Sequence, residues 1–349
     1  MTLGSLFDGV GGWQLAAVRA GIVPIWSSEI DKFCRQITAI HFPNTIQLGD
    51  IREIDSPPYV DIVTAGFPCV DVSIAGNRAG LAGSRSGLFY DAVKLIRRIK
   101  PKYAIFENVV GLLNSNGGAD FHAVLEEIAE TEIPICKRWA NAGLVDCRDR
   151  QIAWRILDAQ YWGCAQRRQR VFIVASFGNR RAAEILFESK GLQRDFTPYN
   201  CEGQRNTCGI EKGVNDSSGL KLYENHGQDC RYKEVTVSPT VTANFGMGGN
   251  NTPFVVHGIG RDDFNQGRNG QFSLSFSEEL QPPLTARGAG GVFDGYHVRK
   301  LTPIECERLQ GLPDNWTAGV SDTQRYKMIG NGMAQTIADW ILRQVIKND

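Results

Sequence analysis

Along residues 2–177, short apolar runs (TLGSLF, IVPIWSSE, TIQLGD, DIVTAGF, YAIFENV and VFIVASF) alternate with helix-length segments such as GLFYDAVKLIRRIK. Strand-length runs separated by amphipathic helices predict a doubly wound parallel sheet of the α/β class. From about 190 to 297 that rhythm is lost: 16 of the chain's 38 glycines lie between 201 and 297, among Asn, Thr and Ser. This stretch predicts loops with short strands. Within it SPTVTANFGMGGNNTPFVV and QPPLTARGAGGVFDGYHV echo one another, a single pair that suggests an internal duplication. Helical periodicity returns after 298 and ends in MAQTIADWILRQVIK, where positions 333, 337, 340, 341 and 345 mark one face. The pattern predicts a first domain over 1–189, a smaller inserted domain over 190–297, and a return segment over 298–349 that completes the first.

Composition narrows the picture only slightly. With 349 residues, 42% of them hydrophobic, the chain can bury a large core. No apolar run approaches the roughly 18 residues that span a bilayer. A charged n-region followed by an apolar h-region is also missing at the N-terminus, so a cytoplasmic protein is expected, with no membrane partner. The nine cysteines (34, 69, 136, 147, 164, 201, 208, 230 and 306) lack paired C-x-x-C spacing, so they read as reduced thiols and no metal site is expected. Lys plus Arg and Asp plus Glu both number 38, so net charge says nothing about an anionic partner. Locally the balance shifts: residues 137–170 carry eight Lys/Arg against three Asp.

Candidate chemistry gathers where the predicted strands end. The first strand runs into LFDGVGGW, whose glycines let backbone approach a ligand at a helix N-terminus. Glu29, twenty residues after Gly9, ends the second strand where it can take both hydroxyls of a ribose. The third glycine of a dinucleotide fingerprint is replaced by Gln14, which disfavours NAD or FAD and favours a cofactor with one nucleoside, such as S-adenosylmethionine. Asp50, after the third strand, is placed to accept a bond from an adenine amino group. Further along, Pro68 and Cys69 follow the fourth strand, Glu107, Asn108 and Val109 end the fifth, and QRRQR at 166–170 opens the last. Open α/β sheets bind ligands at such ends. A cysteine beside arginine cations is an activated nucleophile, and a nearby carboxyl can polarise a substrate ring.

In their order and over almost the whole chain, FDGVGG (7–12), Glu29, Asp50, GFPCVDVSIAG (66–76), ENV (107–109), QRRQR (166–170), RKLTPIECERLQGLPDNW (299–316) and IGNGMA (329–334) resemble the motifs of the DNA (cytosine-5) methyltransferases of bacteria and phages. The resemblance implies a Rossmann-like, S-adenosylmethionine-dependent methyltransferase sheet with an inserted target-recognition domain. It implies Cys69 as the nucleophile, Glu107 at the cytosine N3 and amino group, and Arg168 and Arg170 supporting the base and the cysteine loop. Phe7, Gly9, Gly11, Gly12, Glu29, Asp50, Ile51, Pro68 and Asn331 fall at cofactor positions. Pro68, Ser73, Asn108, Val109, Gln166 and Arg299 fall at substrate positions. Val70 stands where several relatives have a polar residue, and Ile30 where some carry an aromatic. The basic segment 131–151 looks longer than in the smallest relatives and reads either as a phosphate-contacting arm or as a solvated loop.

Such an enzyme works because the thiolate adds to C6 and pushes electron density onto C5, while the glutamate, sharing a proton at N3, neutralises the ring. The base must first leave the duplex. Double-stranded DNA is the expected substrate and S-adenosyl-L-methionine the cofactor, with a monomer and a cognate restriction endonuclease among the expectations. A tRNA cytosine-5 methyltransferase would share the catalytic set, although the long variable region favours duplex reading. A non-catalytic DNA-binding relative would be expected to lack Cys69 or Glu107.

Overall fold

The structure, a computed structural model, describes residues 1–68, 87–134, 136, 138–164, 166–187 and 301–349, and the backbone of four strands between 220 and 300. The elements of the main body are β1 (Thr2–Leu6), α1 (Gly12–Arg19), β2 (Val23–Ser28), α2 (Lys32–His41), β3 (Ile46–Gln47), β4 (Ile62–Ala65), α3 (Leu88–Ile99), β5 (Tyr103–Val109), α4 (Ala119–Ala129), β6 (Ala142–Asp146), β7 (Arg150–Asp158), β8 (Gln169–Phe177) and α5 (Ala182–Leu186). Four further strands, β9 (Leu220–His226), β10 (Arg231–Val235), β11 (Phe254–His257) and β12 (Arg299–Lys300), form a separate sheet in the order β10-β9-β11-β12. The chain ends with α6 (Pro303–Leu309), α7 (Asp322–Asn331) and α8 (Gln335–Asn348). Among the described residues no helix is long and apolar enough to cross a membrane.

The large sheet has the order β3-β2-β1-β4-β5-β8-β7-β6. Its first five strands are parallel, as the alternation of strands and helices predicts. The remaining three are not: β8 runs antiparallel to β5, β7 to β8, and β6 to β7. The parallel expectation therefore fails for three strands, two of which, β6 and β7, come from the basic stretch and the run after it. Trp139 within the basic stretch packs edge-on against Phe121 and Trp154, so part of that segment is core rather than arm.

Apolar side chains on both sheet faces divide the core into two layers. Leu6, Val63, Phe106 and Ile173 face α3 and α4, whose buried stripe includes Phe89, Ala92, Val93 and Ile96 at helical spacing. Leu3, Ile62, Ile105, Phe172 and Val174 face α1, α5 and α8. Ile337, Ala338, Ile341, Leu342 and Val345 of α8 join that layer, so the C-terminal helix completes the fold that the N-terminus begins. Arg19 fastens α1 to Asp339 of α8 at 2.7 Å.

Candidate active site

Two clusters meet at the carboxyl end of the parallel strands. The first is the turn between β1 and α1. Phe7 and Gly9 both have left-handed backbone (φ 55° and 58°), a conformation that costs a non-glycine residue about 1 kcal/mol or more. The Gly9 amide donates to Glu29 Oε2 at 2.8 Å, and Asp31 N donates to Oε1 at 2.8 Å. Each Glu29 oxygen keeps accepting capacity. Among the described residues no atom lies within 4 Å of where a Cβ on Gly9 would project, so the turn is open to a ligand on that side as far as they extend. Ile30 (68% exposed), Pro68 and Asn331 are exposed, while Phe7 is half-buried. An open backbone cradle beside a carboxylate, with an apolar side chain next to it, fits the nucleoside end of S-adenosylmethionine. Gly11, also left-handed, and Gly12 sit against Phe42 and Gln335 respectively and shape the helix entry.

Two cofactor expectations are altered. Asp50 caps a short 3₁₀ turn, and its carboxylate is already held by Arg52, whose Nε lies 3.0 Å from Oδ1; those bonds lower its pKa. An adenine amino group would have to share that carboxylate. Ile51 is 6% exposed, and its side chain belongs to the core.

The second cluster joins β5 to β8. Because β8 runs backwards, its first residues lie beside the last of β5: Val109 pairs with Arg170, and Glu107 with Phe172. Arg170 Nε reaches Glu107 Oε1 at 3.0 Å, with both side chains less than a fifth exposed. Burial pushes the Glu107 pKa up, Arg170 and Arg168 pull it down, and the net direction is upward. This carboxyl therefore holds a proton more readily than an ordinary glutamate. The two clusters share a neighbour in Gly66: a Cβ there would lie 3.6 Å from Glu107 Oε2 and 4.0 Å from the Phe7 carbonyl oxygen.

Arg168 is 2% exposed and reaches across to the end of α7 and its connection to α8, donating to the carbonyls of Gly330 (3.1 Å) and Gly332. It is a brace for the return segment; burial and the Arg170 charge lower its pKa. Asn108 and Gln166 also depart from expectation. Asn108 Nδ2 donates to the Phe67 carbonyl at 2.8 Å, while its Oδ1 accepts from Val109 N. Gln166 is fully buried and donates to Leu309 O at 2.9 Å. Both carboxamides are engaged within the fold, so they position backbone rather than present free groups to a substrate. Val109 is 37% exposed and open to a partner. Cys69 and Ser73 lie outside the described residues, and Arg299 is described only as backbone of β12.

Several contacts that hold the site escape sequence reading. Trp316 Nε1 donates to Val10 O at 2.8 Å while its ring stacks on His41. Gln335 Nε2 donates to Gly12 O at 3.0 Å. Gln14 Nε2 donates to Asp8 Oδ2 at 2.5 Å. The return segment thus grips the first turn from two sides, across more than 300 residues of sequence.

Comparison with known proteins places this geometry among methyltransferases. The family model of the C-5 cytosine-specific DNA methylases matches residues 1–347. The type II methyltransferase M.HhaI of Haemophilus parahaemolyticus is 26% identical over 350 residues, covering 96% of this chain and 91% of that protein. The orphan methyltransferase M.SPRI of Bacillus phage SPR is 24% identical, covering 98% of this chain and 96% of its own length. A protein of Escherichia phage P1 named DNA N-6-adenine-methyltransferase is 27% identical over 99% of this chain, which spans 61% of that protein's length. Among solved structures, the S. pombe Dnmt2 methyltransferase matches with a TM-score of 0.63 at 15% identity, covering 99% of this chain and 98% of its own, a likeness of fold.

Proposed function

This chain belongs to the C-5 cytosine-specific DNA methylase family, and from that premise we propose that it methylates C5 of a cytosine flipped out of a specific duplex DNA sequence. The observation that carries the reading is the ion pair between Glu107 and Arg170 at the end of β5, beside the Phe67–Pro68 backbone that leads to Cys69. Glu107 in this reading holds a proton at the cytosine N3 and takes up the charge that forms on the ring when the Cys69 thiolate bonds to C6. Arg170 orients the carboxylate. Asn108 fixes the backbone ahead of the nucleophile, and Arg168 keeps the return segment against β8. S-adenosyl-L-methionine, the family's cofactor, would supply the methyl group that C5 receives; Gly9, Glu29 and the backbone of Phe7–Gly12 would hold its nucleoside end. Loss of the C5 proton to a base and departure of the thiolate complete the exchange.

Residues 1–189 with 298–349 form the catalytic body in this reading, and 190–297 choose the DNA sequence. β12, at 299–300, pairs with β11 of the smaller sheet, which supports a return to the catalytic body near that point, one or two residues later than the 298 read from sequence. A monomer acting in the cytoplasm, as a guard against a cognate restriction endonuclease or for phage DNA protection, is consistent with the type II and phage relatives. The test is incubation with labelled S-adenosylmethionine and either duplex DNA or tRNA, followed by nucleoside digestion and mass spectrometry. Label in 5-methylcytosine from DNA is expected. Label confined to tRNA, or appearing as N6-methyladenine, would overturn the proposal.

A further inference from the structure

Asp8 has no assigned role, yet it lies at the centre of the first turn. It sits between the two left-handed residues Phe7 and Gly9, its amide donates to Ser28 O and its carbonyl accepts from Gly11 N, both at 3.1 Å. Its side chain turns inward and is nearly inaccessible, as the residue is 5% exposed. Oδ2 accepts from Gln14 Nε2 of α1 at 2.5 Å. Oδ1 makes no well-formed hydrogen bond, nor do the neighbouring buried oxygens Ser5 Oγ and Gln14 Oε1, although the Ser5 hydroxyl stands close enough to favour the ionised form of Asp8. The charged and titratable groups around it offer no relief: Glu29 at the end of β2 repels an anion, and the Cys34 thiol of α2 is itself pushed up by burial and by Asp8. No salt bridge reaches Asp8 among the described residues. Ionised, it would be an unpaired buried charge, which costs several kcal/mol in a protein interior. Neutral, it carries no charge to desolvate and gains an O–H that can serve the unpartnered oxygens around it.

We infer that Asp8 is a positioning residue of the cofactor site, a neutral acid whose bond to Gln14 clamps the Phe7–Gly11 turn onto α1 and so presents the Gly9 amide beside Glu29. Burial, the largest influence, together with Glu29 raises its pKa from 3.8 to about 7, against the lowering influence of Ser5 and Gln14. Loss of the proton drives the carboxylate toward water. The left-handed backbone at Phe7 then relaxes and the cradle opens. Gln14, read from sequence only as an absent glycine, becomes the donor that the clamp requires.

The inference rests on placing the cofactor at this turn. Its test is calorimetric titration of the full-length protein with S-adenosylmethionine from pH 6 to 9, comparing wild type with Asp8→Asn, Asp8→Leu and Glu29→Ala. Wild-type affinity should be constant up to about pH 7 and then fall by up to tenfold per pH unit. Asp8→Asn, which keeps a neutral acceptor for Gln14, should match wild type at pH 6 and exceed it at pH 8 and above. Differences between the two proteins cancel the titration of the cofactor's own amine. Asp8→Leu should bind weakly at every pH. Thermal midpoints add an independent reading: folded Asp8 keeps its proton between 3.8 and about 7 while the unfolded chain sheds it, so wild-type stability should fall across that window and Asp8→Asn should remove this fall. Parallel affinity profiles for wild type and Asp8→Asn, or an Asn variant as weak as the Leu variant at pH 6, would overturn the clamp. Unchanged affinity in Glu29→Ala would instead overturn the placement of the cofactor.

Discussion

The two halves of the large sheet build their share of the site by opposite means. In the parallel half, β1 and β2 end at the same edge, and the turn proposed to hold the cofactor is made mainly of backbone: a Gly9 amide, a left-handed Phe7, and one carboxylate, Glu29, that bonds the turn directly. In the antiparallel half, β8 enters at the edge where β5 leaves, so side chains from a strand's beginning reach those at another's end. Arg170 thereby meets Glu107, and Arg168 extends to the end of α7 and its connection to α8. A parallel strand in the β8 position would deliver its first residues to the opposite edge, more than 20 Å away for a strand of about this length. Reversal of one strand is what brings the cations to the Glu107 carboxyl.

This contrast separates the expected effects of mutation. The largest belongs to the antiparallel half: Glu107→Gln should lower the methylation rate by about 10²–10⁴-fold while leaving S-adenosylmethionine affinity unchanged, as measured by single-turnover kinetics and calorimetry. Equal losses in both would mean that the two clusters are not functionally separate. Next comes the brace. Arg168→Met removes charged donors from the Gly330 and Gly332 carbonyls, the first buried and the second half-buried, and should reduce unfolding free energy by about 3–5 kcal/mol in urea titrations. A loss below 1 kcal/mol would show that the return segment holds without it. In the parallel half, Glu29→Ala should cost about 1.5–3 kcal/mol of cofactor affinity, and the rate at saturating cofactor should be nearly preserved. The inserted region belongs to neither half: exchanging 190–297 for the corresponding block of a relative should move the methylated site, with about 1–3 kcal/mol of discrimination per good bidentate contact. An active chimera that keeps the original site would refute that role.

Legibility differed between the halves for physical reasons. Glu29 and the Gly-rich turn were readable because a strand end followed by glycines is a local pattern, and Glu107 and the arginines because they punctuate apolar runs. Strands β6 and β7 were not. Gly143 and Leu144 lie in an exposed edge strand flanked by arginines, which disguises it as a loop, and only pairing with β7, itself paired to β8, defines it. Asn108 and Gln166 look like ligand-binding carboxamides in sequence, yet burial decides their partners, Phe67 O and Leu309 O. The grip of Trp316 and Gln335 on the first turn joins opposite ends of the chain, where no local pattern operates.

The central claim, cytosine C5 methylation through a thiol adduct, is tested most directly with duplex DNA carrying 5-fluorocytosine at the target position. Methyl transfer can proceed on such a base, but fluorine cannot leave as the proton does, so the cycle should stop with the protein bonded to C6. A denaturation-resistant adduct should form only when S-adenosylmethionine is present, and peptide mass spectrometry should place it on Cys69. Cys69→Ser should give no adduct and negligible methylation, because a hydroxyl is far less ionised than a thiol near neutral pH. An adduct on another cysteine, or full activity in the serine variant, would contradict the account.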